Sequence, residues 1–202
     1  MQRRHVLLAA VTGFAVTAAG LGVAAVGWLG GGRAKGGSGA IGGPFNLVDD
    51  HGAAVTEAVL AGKPSVIYFG YTYCPEVCPT TLSDLARWMK ELGPAADKLN
   101  YAFVSVDPER DTPQVMHAYV SAFDPRIRGF TGSPAQIAQV AREYRVYYKR
   151  IPGSNGDYVV DHPAILYLMG PDGGFVDIIH YQEDDASAVD KLRRLASLAG
   201  SS

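Results

Sequence analysis

The chain has only two cysteines among its 202 residues, no acidic residue before Asp49, and no charged side chain from Val6 to Gly32. No cysteine lies near the N-terminus, so a bacterial lipoprotein anchor is excluded. With acids missing from the front, Arg3, Arg4, Arg33 and Lys35 are the only charged side chains of the first 48 residues. The remainder carries 14 basic and 20 acidic residues, about −6, against −2 for the whole chain. A domain of that sign is a poor surface for nucleic acid, whose phosphates require clustered Lys and Arg. No internal repeat is present, and the length suits one domain with an appendage.

The uncharged run of 27 residues follows Met-Gln-Arg-Arg-His. Roughly 20 helical residues cross a bilayer core at about 1.5 Å each. Two readings compete: a signal peptide cut at Gly20 behind the small residues Thr17 and Ala19, or an uncleaved signal anchor. The length of the run favours the anchor. Arg-Arg-His-Val-Leu also resembles a weak twin-arginine signal. Basic residues flank both ends, so loop charge leaves the orientation undecided. Either reading exports the rest to a compartment where disulfides persist. The expected organisation is an anchor or signal over 1–32, a Gly-rich linker over 33–43 that cannot hold a core, and one folded domain over 44–202.

Within that domain, "FNLVDDHGAAVT" reads as two short strands around an Asp-His-Gly turn. "SVIYFGY" is an unbroken apolar run suited to a central strand. After the cysteines, Leu82, Leu85, Trp88, Met89 and Leu92 recur at helical spacing, and Gly93-Pro94 ends the helix. A strand follows in "NYAFVSVD", ending at Asp107. Thr112-Pro113 and Ser133-Pro134 each read as an N-cap with proline in the first helical position. "AILYLMGPDGGFVDIIHY" reads as a hairpin, and "DASAVDKLRRLASLA" as a closing helix. Strands alternating with helices imply a partly parallel sheet covered on both faces. The expected fold is α/β, a thioredoxin-like sandwich with an N-terminal β-hairpin, preceded by the transmembrane or signal segment.

Both cysteines lie in "YFGYTYCPEVCPTTL", Cys74 and Cys78, each followed by proline. Pro79 fits only the first turn of a helix, so the helix is expected to start at Cys78 or Pro79. A helix N-terminus favours thiolate over thiol. Three readings stand: a structural disulfide, a redox dithiol, or two ligands of a metal. A disulfide closing so small a loop would stabilise little, and redox dithiols more often have two intervening residues. Two cysteines do not saturate a metal, so the metal reading requires a third ligand.

Of the five histidines, His5 belongs to the export segment, His51 to a turn, His117 to a helix surface and His180 to the last strand. His162, in "YVVDHPAILYL", stands at the entrance to a buried strand. In a thioredoxin-like sheet that place lies beside the helix carrying the cysteines. Two thiolates and an imidazole suit Cu(I), or Cu(II) with an added ligand; zinc with a water is equally compatible. Met89, Met116 and Met169 fit core positions rather than ligands. "YRVYYKR" reads as a strand edge or partner-facing surface.

Three ordered blocks resemble the Sco/SenC copper chaperones: "GKPSVIYFGYTYCPEVCPTTL", "VSVDPERDTP" and "VDH…YLMGPDG". The resemblance spans about Gly42 to Leu198. Pro163 departs from it, since the family pattern has a small polar residue after the histidine. The resemblance implies copper binding through Cys74, Cys78 and His162, as Cu(I) or Cu(II), and a Cys74–Cys78 pair that is redox-active. It implies that Asp107 or Asp111 lies behind the ligands or at a partner contact, where both otherwise read as turn residues. It also implies an inner-membrane tether with the domain in the periplasm. The implied role is to help build the dinuclear copper centre of cytochrome c oxidase, by copper delivery or by reducing that centre's cysteines. The implied partners are the oxidase's copper-bearing subunit and other copper chaperones. The rival reading is a thiol–disulfide oxidoreductase, with Cys74 attacking and Cys78 resolving. A peroxiredoxin-like reading is weaker, because the threonine and arginine that back such a thiol are not found.

Overall fold

A computed structural model describes residues 40–153 and 156–200. The anchor or signal segment expected over 1–32, and the linker up to residue 39, lie outside the described residues. Among the described residues no helix is long and apolar enough to cross a membrane. Ordered contacts begin ahead of Pro44: Ile41 packs on the core, and the Gly42 amide donates to the Glu143 carbonyl.

The expected N-terminal hairpin is β1 (Asn46–Asp49) paired antiparallel with β2 (Ala54–Thr56). Its turn closes because Asp49 Oδ1 accepts the amides of His51 and Ala53, while Gly52 takes a positive φ of 87°. The apolar run forms β3 (Ser65–Gly70), buried at every position. The helix behind the cysteines, α1 (Val77–Leu92), starts one residue before the earlier of the two expected starts, Cys78, and a short 3₁₀ segment follows it. Next comes β4 (Asn100–Ser105), which ends two residues before Asp107; the chain turns there to place both Asp107 and Asp111 inside.

Thr112 and Ser133 cap α2 (Pro113–Ser121) and α3 (Pro134–Glu143) as expected, and Ser133 forms a full capping box with Gln136. Between these helices lies β5 (Ile127–Thr131), absent from the sequence reading. It is short, and Arg128 and Gly129 interrupt its apolar pattern. Also unforeseen is a separate two-stranded sheet of β6 (Lys149–Pro152) and β7 (Tyr158–Asp161). Its strands are largely exposed, so burial left no strong apolar signature. The hairpin β8 (Ile165–Met169) and β9 (Phe175–His180), with α4 (Asp185–Ser197), completes the described chain.

The main sheet runs β2-β1-β5-β4-β3-β8-β9, with β3, β4 and β5 parallel and the other pairs antiparallel. On one face Phe103 of β4 meets Tyr68 of β3 and Tyr119 of α2. Asp185 of α4 takes Arg87 and Trp88 of α1, which binds those two helices together. On the other face Phe69 packs on Tyr144, just past α3. The core between these layers includes Leu82, Leu85, Met89, Met116 and Met169. Full burial of such a side chain contributes about 1.5–3 kcal/mol. Met89, Met116 and Met169 are core residues, as expected.

Candidate metal centre

Cys74 lies in the loop after β3, and Cys78 is the second residue of α1, fully buried. Glu76 stands at the cap position but makes no side-chain capping bond. The acceptor at the helix end is instead Cys74 Sγ, which takes the Cys78 amide at 3.4 Å. Three intervening residues are what allow the first sulfur to reach back onto the free amides of the helix that carries the second. The contact also places Cys74 against the positive end of the helix.

His162 follows β7 and precedes β8. Because β8 pairs antiparallel with β3, in the register Tyr68↔Leu166, the segment entering β8 lies beside the segment leaving β3. His162 Nε2 is 3.5 Å from Cys78 Sγ. His162 Nδ1 lies 3.1 Å from the Pro163 carbonyl. A carbonyl can only accept, so Nδ1 carries a proton, and Nε2 is the ring nitrogen turned to the sulfurs. One donor atom from each of Cys74, Cys78 and His162 lies within 4.8 Å of the others.

Aromatic rings wall the centre: Tyr68 and Tyr71 meet the imidazole edge-on, and the Tyr68 hydroxyl donates to Cys78 Sγ at 3.6 Å. Gly70 is required at the end of β3. A Cβ there would stand 2.9 Å from Cys78 Sγ and 2.7 Å from the Phe103 ring.

Neither cysteine is in a disulfide. The hydrogen bond from Cys78 to Cys74, then those from His162 and backbone amides, hold Cys74 well below the ordinary thiol range, against partial burial. Cys78 is driven up because it donates to Cys74 and is buried. The shared hydrogen bond thus favours the thiolate on Cys74 and the proton on Cys78.

Asp107 and Asp111 are both fully buried behind this centre. The Asp111 carboxylate accepts the hydroxyls of Thr72 and Ser105, each at 2.6 Å, and so braces the loop two residues before Cys74. Burial raises the Asp111 carboxyl above its usual range. Asp107 pairs with Arg110 and accepts the Tyr158 hydroxyl at 2.7 Å. Arg110 in turn stacks over Tyr158 at 3.8 Å and Tyr73 at 4.9 Å. Arg110, Tyr68, Tyr71 and Thr72 were not singled out in the sequence. They sit inside or beside the motif blocks, but spacing carries no sign of which aromatic turns inward. His180 is exposed at the end of β9. His51 and His117, expected in a turn and on a helix surface, are exposed but meet each other, with ring centres 4.8 Å apart.

The fold and donor set define a thioredoxin-like protein with a Cys–Cys–His centre at the end of a buried strand. A model of the SCO1/SenC family matches residues 33–197. The chain is 46% identical over 162 residues to Protein SCO1 homolog 1, mitochondrial, of Arabidopsis thaliana, covering 76% of this chain and 46% of that protein. It spans about half the length of the curated relatives it matches. Bradyrhizobium japonicum ScoI, solved with copper bound, is similar at 50% identity and a TM-score of 0.72, over 77% of this chain and 99% of that one. Arabidopsis thaliana ScoI, also solved with copper bound, gives 43% identity and a TM-score of 0.74, over 78% and 99%. The chain belongs to the SCO1/SenC family.

Proposed function

We propose that this protein is a membrane-tethered copper metallochaperone that carries its cargo ion on Cys74, Cys78 and His162 and assists assembly of the dinuclear copper centre of cytochrome c oxidase. The observation that carries the reading is the convergence of these three donor atoms within 4.8 Å in a chain of this family. Two sulfurs and an imidazole fit Cu(I), and Cu(II) with a further ligand. Zinc fits them too; the copper-bound relatives favour copper. The 6–32 run supports a tether, and the proposed compartment is the periplasm. The partners are the oxidase's copper-bearing subunit and other copper chaperones.

In this reading the chain's own residues prepare the site. Cys74 is held deprotonated at the helix end, ready to ligate. Cys78 gives up its proton on loading, and Tyr68 and Tyr71 keep His162 aimed at the sulfurs. Cargo leaves by ligand exchange with a partner's cysteines and histidines.

One observation favours a second reading, a thiol–disulfide oxidoreductase. A partly exposed Cys74 whose sulfur accepts the helix amide, beside a buried Cys78, is the arrangement of an attacking and a resolving cysteine. Cys74 would attack a partner disulfide and expel one partner thiolate. Cys78, deprotonated, would then displace the other, leaving a Cys74–Cys78 disulfide and a partner dithiol that has gained two electrons. That disulfide would block copper loading, so the same pair would also gate the cargo.

The test is His162→Ala in the reduced protein. Its Cu(I) affinity, read by competition with a chromophoric chelator, is expected to fall by more than the roughly 10–100-fold that losing an outer partner of a ligand costs. Unchanged copper affinity, with substantial and intact disulfide-reductase turnover, would sink the chaperone reading and leave the oxidoreductase.

A further inference from the structure

We propose that Asp50, His51 and His117 form a second metal site, of a harder class than the cysteine centre and built for a divalent cation such as Zn(II) or Cu(II). Asp50 and His51 occupy the turn between β1 and β2, and His117 is in the middle of α2. One donor atom of each lies within 4.8 Å of the others. His117 Nδ1 is 3.1 Å from Asp50 Oδ2. One carboxylate and two imidazoles make a donor set that zinc and copper(II) both accept.

An independent observation also points to a cation. The Asp50 side chain is only 5% exposed, and its other oxygen, Oδ1, is buried with no hydrogen-bond partner. A buried carboxylate oxygen left without a donor bears its full desolvation penalty. The neighbouring polar groups are committed elsewhere. The His51 and Ala53 amides go to Asp49 Oδ1, the Asp50 amide goes to the Gly129 carbonyl, and Arg128 pairs with Asp49 Oδ2. An ion ligated by Asp50 would supply the missing positive charge.

The placement is constructed rather than loose. A Cβ on Gly129 would stand 3.1 Å from both Asp50 Cβ and Met116 Cβ, so a side chain there would press the turn and α2 apart. His51 and His117 both reach solvent, which leaves an approach for the ion. Donors about 2.0–2.1 Å from one ion lie at most about 4.2 Å apart. The His117–Asp50 pair is already inside that limit, and His51 is the exposed side chain left to adjust.

The two centres are separate. Asp50 bonds to Gly129 of β5, which registers with Phe103 of β4 and then Tyr68 of β3, whose hydroxyl touches Cys78. Three strand spacings of about 4.8 Å put roughly 14 Å between Asp50 and Tyr68. The inference does not depend on the reading of the cysteine centre. Its competitor is a bare Asp50–His117 ion pair with His51 resting on it, which has no use for a metal.

The experiment uses the untagged full-length chain with Cys74→Ser and Cys78→Ser. Zn(II) is titrated by calorimetry, and Cu(II) is followed by electron paramagnetic resonance. The expected result is saturable binding of one equivalent, imidazole nitrogen coupling in the Cu(II) spectrum, and a Tm raised by metal, since the ion binds the native state. Adding His51→Ala and His117→Ala is expected to lower affinity by roughly tenfold or more and remove the Tm shift. If the serine variant does not fold, the unmodified reduced chain is used, and the same two histidine substitutions should remove one equivalent of zinc. Absence of saturable binding beyond the cysteine centre, or binding unchanged by the histidine substitutions, would overturn the proposal.

Discussion

Asp111 and Thr72 stand 39 residues apart, yet the Asp111 carboxylate accepts the Thr72 hydroxyl at 2.6 Å and its backbone amide at 3.3 Å. Thr72 opens the loop that delivers Cys74. The aspartate thus fixes a ligand-bearing segment without approaching the ligands.

Asp111→Ala should act on both stability and metal binding. The substitution takes the acceptor from the buried Ser105 hydroxyl proton and from the Thr72 donors, for a loss of about 1–3 kcal/mol. Copper affinity should fall with it, because the loop that delivers Cys74 loses its anchor. Urea denaturation and Cu(I) competition measure the two effects. A stability loss with unchanged affinity would show that Asp111 only supports the fold.

Gly70→Ala drives a methyl group toward Cys78 Sγ and the Phe103 ring. Overpacking of this kind costs about 1–3 kcal/mol. The cysteine must shift to relieve it, so copper binding should weaken together with stability. The same two measurements check it, and wild-type affinity would mean that the sulfur position tolerates displacement.

The reduced pair makes stability depend on pH in a definite sense. Unfolded thiols titrate near about 8.5. Cys74 is lowered in the fold, so its contribution is present above that value and is lost as pH falls toward its own low pKa. Cys78 is raised, so its contribution is present below that value and is lost as pH climbs past it. The wild type should therefore gain stability over Cys74→Ser as pH rises from acid to about 8.5, by urea midpoint under reducing conditions. A difference that is flat with pH would contradict the assignment of the thiolate to Cys74.

Ser133→Ala is a control at a distance. It removes the capping box of α3, for about 0.5–2 kcal/mol. Copper affinity should not change, because nothing in that cap reaches the cysteine loop. Thermal unfolding and Cu(I) competition report the two results.

Local chemistry carried far in this chain. Thr112-Pro113 and Ser133-Pro134 marked two helix starts because a cap oxygen and a fixed proline φ act within one turn. The apolar run Ser65–Gly70 was readable as a central strand because burial on both faces demands an unbroken pattern. Where burial was weak or interrupted, in β5, β6 and β7, the pattern was too short to register. The cysteine spacing raised the metal question, and the motif blocks pointed to His162.

What spacing could not supply was depth and approach. Asp107 and Asp111 read as turn residues, but the chain folds back and buries both, and their hydrogen bonds then organise the loop. That Cys74, not Glu76, meets the helix amides follows from the path of the loop against α1. His51 and His117 read as one turn histidine and one helix-surface histidine. They share a site with Asp50 only because β5 carries glycine at position 129 and draws the hairpin turn and α2 together. Periodicity and capping act between near neighbours, and the sequence displays them directly. The meeting of residues 39, 67 or 84 positions apart is an outcome of sheet order and packing.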